Sequence, residues 1–221
     1  MHKGRIKSAF KSTLPVLFGY VPLGMGFGIL LTGAGYPWYL ATIMAIIMYA
    51  GAAQYMAVKF FTQSLPFYEI ALVTLFVNLR HMVYGLSLLD DLKEKNIFNS
   101  YIIFGLTDET YAILQNEKKE NYFLISLFNQ IYWITGCTLG AILGQFLPFS
   151  SEGIEFALTS LFVVLAVDMY KSAKSKLPFR IALFCGILAY FISKENMLIL
   201  SIAISAVILL LTKGRLENES A

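Results

Sequence analysis

Long apolar stretches occupy most of the chain, and short polar turns separate them. A membrane-spanning helix needs about 20 mostly apolar residues, so this pattern predicts membrane-crossing helices throughout. We predict about eight such elements, or seven if the weakest, 97–114, does not cross. Their ranges are 14–34, 37–60, 67–89, 97–114, 122–147, 154–170, 178–193 and 197–212. The predicted fold class is an all-α, polytopic transmembrane helical bundle, with a single membrane domain over residues 1–221.

Basic residues concentrate at both ends of the chain and in one loop, and an excess of Lys and Arg marks cytoplasmic segments. The segment 1–13, the loop 171–180 and the tail 213–221 are therefore all predicted to be cytoplasmic. Eight crossings satisfy this condition and describe a multi-pass protein of the cell membrane. If 97–114 did not cross, the loop 171–180 would lie outside. With eight crossings, however, the loop 90–96 lies outside although it contains two lysines.

The composition excludes an ordinary soluble domain. Apolar residues make up 57% of the chain and charged residues only 14%, against about a quarter in soluble proteins, and the mean hydropathy is +0.67. The net charge of +3 is small and the aromatic residues lie inside apolar runs, so we expect no nucleic-acid partner. Cys137 and Cys185 lack paired spacing and are predicted to be reduced and buried. We expect no cofactor and no metal site.

Glycine and proline are unusually frequent in the first element. Gly24, Gly26 and Gly28 follow Pro22, and Pro15 and Gly19 precede it in the same stretch. Proline removes a backbone donor and glycine loosens a helix, so we predict a kinked or interrupted helix here. The exposed N-terminus of a half-helix around Gly24–Gly28 could then hold the carboxylate of a substrate.

Glycines in two later elements predict different structures. The element 97–114 is short for a span and carries Gly105 just before Asp108 and Glu109, so we predict that it is interrupted. Interrupted helices at membrane depth are tolerated where they line a cavity or are buried in protein. The element 122–147 instead has glycines four residues apart, which predicts close packing against a neighbouring helix. These are Gly136, Gly140 and Gly144.

Polar side chains inside apolar spans are costly, so each is a functional as well as a structural candidate. Gln54 follows Gly51 in a run of small residues, and either forms an interhelical hydrogen bond or contacts a substrate. Arg80 lies in the middle of its span and either forms a structural ion pair or serves in substrate binding or coupling. The carboxylates that could pair with it are Asp108, Glu109 and Asp168.

Asp108 and Glu109 are adjacent, so at most one of them faces any given partner. Either could bind an ammonium group or carry a proton, or Thr107 or Asp108 could simply cap a half-helix. Asn129 and Gln130 are predicted to form interhelical hydrogen bonds. The candidate substrate and coupling residues are Gly24, Gly26, Gly28, Gly51, Gln54, Asn78, Arg80, His81, Asp108 and Glu109.

Several of these residues fall in segments that carry a family resemblance. In chain order the segments are Leu14–Gly28, Tyr49–Gln54, Val77–His81 with Gly85–Leu88, and Thr107–Glu109. Together they resemble the AzlC family of branched-chain amino acid permeases, over about residues 10–115. The resemblance implies an exporter of leucine, isoleucine, valine and similar apolar amino acids, with methionine as a further candidate. It also implies a small second membrane subunit of the AzlD type.

Three function classes suit such a chain, and we predict the first, a secondary transporter. No nucleotide-binding loop occurs, so a proton or other ion gradient would supply the energy. The alternative is a channel-like or structural membrane subunit. An embedded enzyme is least favoured, because His81 has no second histidine within the spans and no H-E-x-x-H or G-x-S-x-G sequence occurs.

Overall fold

The computed structural model describes residues 2–62, 65–89, 91, 92, 94, 96–146, 156, 160, 163, 166, 167, 170, 171, 176–194 and 197–212. Within them the helices are α1 (His2–Gly33), α2 (Trp38–Ile47), α3 (Gly51–Thr62), α4 (Phe67–Ser87), α5 (Ile97–Phe104), α6 (Asp108–Leu114), α7 (Tyr122–Phe146), α8 (Leu177–Ile192) and α9 (Met197–Leu211). A 3₁₀ turn, Lys119–Asn121, precedes α7. These residues contain no strand, which confirms the all-α prediction. Most of the predicted element 154–170, including Asp168, lies outside the described residues.

Two helical stretches are long and apolar enough to cross a membrane by themselves, Gly4–Gly33 and Phe67–Ser87. Shorter apolar helices are Trp38–Ile47, Leu177–Ile192 and Leu200–Leu209. The chain divides into two compact units, of which the first comprises Met1–Pro66 with Thr74–Thr159. The second comprises Phe67–Val73 with Ser160–Ala221, and within it α8 and α9 pack against each other.

The first unit is built on a parallel pair of long helices, α1 and α7. The Phe10 and Phe128 rings lie 5.9 Å apart near the start of both helices. Further along, a Cβ on Gly28 would lie 2.3 Å from the backbone nitrogen of Ala141, so the backbones nearly touch. The predicted glycine stripe of α7 is confirmed as the contact surface, since Cβ atoms on its members would meet α1 at under 3 Å. They are Gly136, Gly140 and Gly144.

Gly24 and Gly28 of α1 serve this packing, and the helix runs from His2 to Gly33 without a break. Of the predicted kink or interruption, the interruption is therefore wrong, whereas the kink stays a prediction. Pro15 and Pro22 are both accommodated inside α1. Gly24 and Gly28 face the backbone of α7, which leaves no half-helix terminus between them to hold a substrate.

Helices α2 and α3 form a hairpin that enters and leaves at one end of the α1–α7 pair. The Trp38 amide donates to Gln145 at the end of α7, at 3.0 Å, so α2 begins there. The Phe61 ring near the end of α3 lies 5.3 Å from that of Tyr36, just beyond α1, so α3 ends there too. The turn between them, at Tyr49–Ala50, lies deep in the unit. Treating 37–60 as one crossing element is wrong, because the chain reverses within it.

Helices α5 and α6 form a second hairpin, which enters from the opposite end. Phe98 in the first turn of α5 packs against Phe123 at the start of α7, with ring centroids 5.2 Å apart. Leu114, at the end of α6, belongs to the same buried apolar cluster as Tyr122 and Ile125 of α7. The interruption of 97–114 is confirmed, since α5 ends at Phe104 and α6 begins at Asp108. Its crossing is not, because both of its ends lie beside the start of α7.

Polar contacts gather the N-terminal segment and two loops at this second end of the unit. Arg5 and Glu120 form an ion pair at 3.9 Å, and Lys119 and Asp91 form another at 2.7 Å. The Ser12 hydroxyl donates to Glu117. This hydrogen bond, with one from Asn121, holds the pKa of the Glu117 carboxyl below its usual value. The loop that follows α4 therefore lies on the same side as the basic N-terminus.

Candidate functional site

The turns of the two hairpins meet in the middle of the first unit. Tyr49, in the first turn, has φ of 31°, a left-handed conformation that a non-glycine residue adopts at a cost of about 1–3 kcal/mol. Its ring lies 6.1 Å from that of Phe104, at the end of α5. Its hydroxyl lies close to Glu109 and Thr110 in the first turn of α6. Each hairpin is an interrupted helix, and the two turns meet in the interior of the first unit.

Thr107 caps the second half-helix. Its hydroxyl oxygen accepts a hydrogen bond from the Thr110 amide at 3.2 Å, which satisfies an otherwise free donor of the first turn. The Tyr20 hydroxyl, from α1, lies 2.6 Å from Thr107 Oγ1 and 2.7 Å from Glu109 Oε2. Its single proton serves one oxygen at a time. Because Thr107 provides the cap, neither Asp108 nor Glu109 is needed for that purpose.

Arg80 and Asp108 form the ion pair that was one of the two predicted roles of Arg80. Arg80 Nη1 lies 2.7 Å from Asp108 Oδ2, and the two side chains are only 22% and 23% exposed. The Tyr84 hydroxyl donates to the other carboxylate oxygen at 2.5 Å. Arg80 Nε is buried and has no hydrogen-bond partner among the described residues. The pair therefore joins α4 to the second hairpin beside its turn.

Gln54 joins the first hairpin to α7. The Trp133 indole N–H donates to Gln54 Oε1 at 2.6 Å, which fixes the orientation of the amide because an indole can only donate. The same indole ring lies over Gly51, where a Cβ would come within 3.0 Å. Gln54 is fully buried, and its Nε2 finds no hydrogen-bond partner in the described part of the chain. The predicted interhelical hydrogen bond is confirmed, and the side-chain nitrogen of Gln54 remains as a donor without a partner among the described residues.

The polar residues of α7 reach both hairpins. Asn129 Nδ2 donates to Thr110 Oγ1 at 3.0 Å, and Gln130 Nε2 donates to the Ile46 carbonyl at 3.2 Å. Gln130 also accepts from Tyr101. The interhelical roles predicted for both residues are confirmed. Asn129 is fully buried, and among the described residues its Oδ1 has no donor.

Five of the sequence candidates lie outside this polar cluster. Gly24 and Gly28 pack on α7, as described above. Gly26 leaves room for Tyr55, whose hydroxyl donates to the Leu23 carbonyl at 2.6 Å. Asn78 donates to the Thr74 carbonyl one turn earlier in its own helix. His81 is half-buried, with its ring 6.0 Å from that of Tyr84. The structure therefore gathers Gly51, Gln54, Arg80, Asp108 and Glu109.

Four aromatic residues of the cluster were not among the sequence candidates, namely Tyr20, Tyr49, Tyr84 and Trp133. Tyr20 and Trp133 pack edge to face with centroids 5.4 Å apart, and so connect the two hairpin turns. Tyr84 binds Asp108. Tyr84 had a recognisable signal, because it lies four residues after Arg80 and hence on the same helix face. Tyr20 and Trp133 had none, since aromatic residues are common in apolar helices for packing alone.

The fold and cluster describe a helical membrane protein with a buried polar centre, and comparison with known proteins gives the family. Residues 15–147 match the family described as AzlC protein. A "Branched-chain amino acid transport protein AzlC" of Bacillus subtilis is 31% identical over 175 residues, covering 76% of this chain and 69% of that protein. The chain belongs to the AzlC family.

Other relatives are named more generally. Two proteins from different strains of Helicobacter pylori, each called an uncharacterized membrane protein, are 35% and 34% identical over 222 and 223 residues. The match covers 96% of this chain and 96% of each relative. No solved structure matches the chain.

Proposed function

We propose that this chain is a secondary transporter that exports branched-chain and similar apolar amino acids across the cell membrane. The observation that carries the proposal is the buried polar cluster at the meeting point of two interrupted helices. Such interruptions are where transporters bind substrates and ions, because half-helix ends present free backbone groups at membrane depth. Membership of the AzlC family and the printed name of the Bacillus subtilis relative support an amino acid as the substrate.

The proposed topology has six crossings and two re-entrant hairpins. The crossings are α1, α4, α7, the segment 154–170, α8 and α9, while α2–α3 and α5–α6 enter from opposite faces and return. Half-helices of 7 to 12 residues reach about 10–18 Å, roughly half of a 30 Å hydrocarbon core. Both termini are then cytoplasmic. Lys93 and Lys95, which eight crossings place outside, are also cytoplasmic, in agreement with the positive-inside rule.

A small membrane subunit of the AzlD type and coupling to a proton or other ion gradient complete the proposal. The subunit is implied by the family. Asp108 and Glu109 are the coupling candidates, because both carboxylates lie at the hairpin turns and contact hydroxyl groups that can relay a proton. The Arg80–Asp108 pair would open and close during transport, which makes it a switch rather than a fixed brace.

Efflux from cells tests the proposed function. Cells preloaded with labelled leucine should lose it faster when they express this chain together with the small subunit than when either is missing. The flux should saturate with internal leucine, and collapse of the proton and sodium gradients together should reduce it. An efflux that rises linearly with concentration would instead indicate a channel. Conversion of the label to a new product would indicate an enzyme, and equal efflux in all cells would refute transport.

A further inference from the structure

We infer that the first turn of α3, with the Gln54 amide and the Tyr49 hydroxyl, binds the carboxylate of an α-amino acid, while Glu109 and Asn129 bind its ammonium group. This inference rests on the proposed transport function and deepens it. The substrate carboxylate is thereby assigned neither to Arg80 nor to the segment Gly24–Gly28. Arg80 is occupied by Asp108, and α1 has no interruption at Gly24–Gly28.

The start of α3 has free backbone donors and partial positive charge, both of which favour an anion. A helix leaves the amides of its first turn without intrahelical partners and places partial positive charge at that end. In α3 the Gln54 amide nitrogen is the first to bond back, to the Ala50 carbonyl at 2.9 Å. Gly51 has no side chain of its own beside these amides, and the Trp133 ring lies over it. This helix has 12 residues, enough for its terminal field to be well developed.

Two buried side chains add donors at the same place. Gln54 Nε2 is a donor without a partner among the described residues, and its orientation is fixed by Trp133. The Tyr49 hydroxyl is 96% buried and lies beside the Thr110 and Tyr20 hydroxyls, but forms no hydrogen bond of good geometry to any described residue. Buried polar groups are normally hydrogen-bonded, so unpartnered donors beside a helix N-terminus point to a bound acceptor. A carboxylate, with two oxygens and about four lone-pair sites, accepts such a set of donors.

The facing side of the cluster offers acceptors. Glu109 accepts from Tyr20 and, within the described residues, forms no ion pair. Asn129 Oδ1 is buried and receives no hydrogen bond from a described residue. Tyr49 lies close to Glu109, so acceptors and donors adjoin each other. An α-amino acid carries its ammonium and carboxylate on one carbon, and this adjoining arrangement satisfies both groups at once.

The test compares leucine with two analogues that each lack one charged group. Isopentylamine lacks the carboxylate, and 4-methylpentanoate lacks the ammonium. Dissociation constants are measured on the chain purified together with the small subunit. In Gln54→Glu a donor becomes a charged acceptor of the same size, so leucine affinity should fall by about 10- to 100-fold, while isopentylamine affinity should not fall. In Glu109→Gln leucine affinity should fall, while 4-methylpentanoate affinity should not.

Gln145→Glu is the matched control. Gln145 is exposed at the end of α7, where its Oε1 accepts from the Trp38 amide, and a glutamate keeps that acceptor. This variant should bind leucine as the unmodified chain does. Leucine affinity that is unchanged in Gln54→Glu overturns the inference.

Tyr49→Phe keeps the test decisive if Gln54→Glu fails to fold. The Tyr49 hydroxyl forms no hydrogen bond to a described residue, so its removal should leave the thermal stability intact. Leucine affinity should still fall by about 2- to 10-fold. Tyr39→Phe, at an exposed position, should change neither property. Unchanged leucine affinity in a stable Tyr49→Phe protein overturns the inference, even if transport is confirmed. If the unmodified protein binds no apolar amino acid, the proposed function itself is refuted.

Discussion

Arg80→Ala and Asp108→Asn should each abolish amino acid efflux while the protein still inserts into the membrane. The two side chains form a largely buried pair at 2.7 Å, and each substitution leaves the other charge without its partner. Removing one member of a buried ion pair typically costs about 3–5 kcal/mol, so both single variants should also be less stable to heat. Efflux and thermal unfolding of the purified protein measure the two effects.

The double variant Arg80→Ala/Asp108→Asn separates a transport role from a structural one. It removes both charges, so it should recover much of the stability lost in the single variants. Efflux should remain absent if the pair acts as a switch, because no charge is left to form or break the contact. Recovered efflux would show that the pair only braces the fold. Normal transport by both single variants would place the site elsewhere.

Asp91→Asn is the matched control for these variants. Asp91 pairs with Lys119 at the same distance, 2.7 Å, but these side chains are 34% and 62% exposed. Exposed ion pairs contribute about 0–1 kcal/mol. Asp91→Asn should therefore leave both efflux and thermal stability close to those of the unmodified chain.

Gly140→Ala should cause a large loss of folded protein for a change of one methyl group. A Cβ at this position would lie 2.1 Å from the Met25 carbonyl oxygen and 2.3 Å from the Met25 Cα. Both are backbone atoms, so the contact is relieved only by moving α1 away from α7. Overpacking of this kind costs about 1–3 kcal/mol or more. The measurements are the thermal midpoint and the monodisperse fraction after extraction in detergent.

Gly19→Ala provides the comparison within the other helix of the pair. A Cβ on Gly19 meets no atom of the described part of the chain within 4 Å. Alanine is also favoured over glycine inside a helix by up to about 1 kcal/mol. Gly19→Ala should therefore match or exceed the stability of the unmodified chain. Equal stability of Gly140→Ala and Gly19→Ala would contradict the close approach of α1 and α7.

Hydropathy predicted the helical class and most helix positions. It could not predict whether an apolar stretch crosses the membrane or turns back within it. The segment 37–60 has enough apolar residues to cross a bilayer, and counting them cannot reveal that the chain turns back at Tyr49. The polar run at Thr107–Glu109 made the other interruption visible, because charged residues do not lie in a lipid-facing helix. At Tyr49–Ala50 the turn consists of apolar and small residues, and no such signal exists.

Glycines inside the apolar stretches could indicate either close helix packing or a helix interruption. Gly140 and its neighbours at four-residue spacing were correctly interpreted as a packing stripe. Gly24 and Gly28 also lie four residues apart, yet the nearby prolines favoured an interruption there. The structure shows that the two stripes face each other. Matching one stripe to its partner needs the parallel pairing of α1 and α7, which is a tertiary property.

The site was partly predictable for a related reason. Gln54, Arg80 and Asp108 are polar residues in apolar surroundings, and that contrast is visible in sequence. Which carboxylate pairs with Arg80 depends on where the second hairpin turns. The contribution of Trp133 depends on α7 lying beside both hairpins.

Labelling from one side of the membrane tests most directly whether the site lies between hairpins that enter from opposite faces. Single cysteines replace the exposed residues Thr62, after the first hairpin, and Glu94, before the second. Cys137 and Cys185 are buried, so the unmodified chain supplies the background. In intact cells a membrane-impermeant maleimide should label Thr62→Cys and should label Glu94→Cys only after the membrane is opened. The reverse pattern, with Glu94→Cys labelled from outside and Thr62→Cys protected, would mean that 37–60 crosses the membrane, and would contradict a hairpin that turns back at Tyr49.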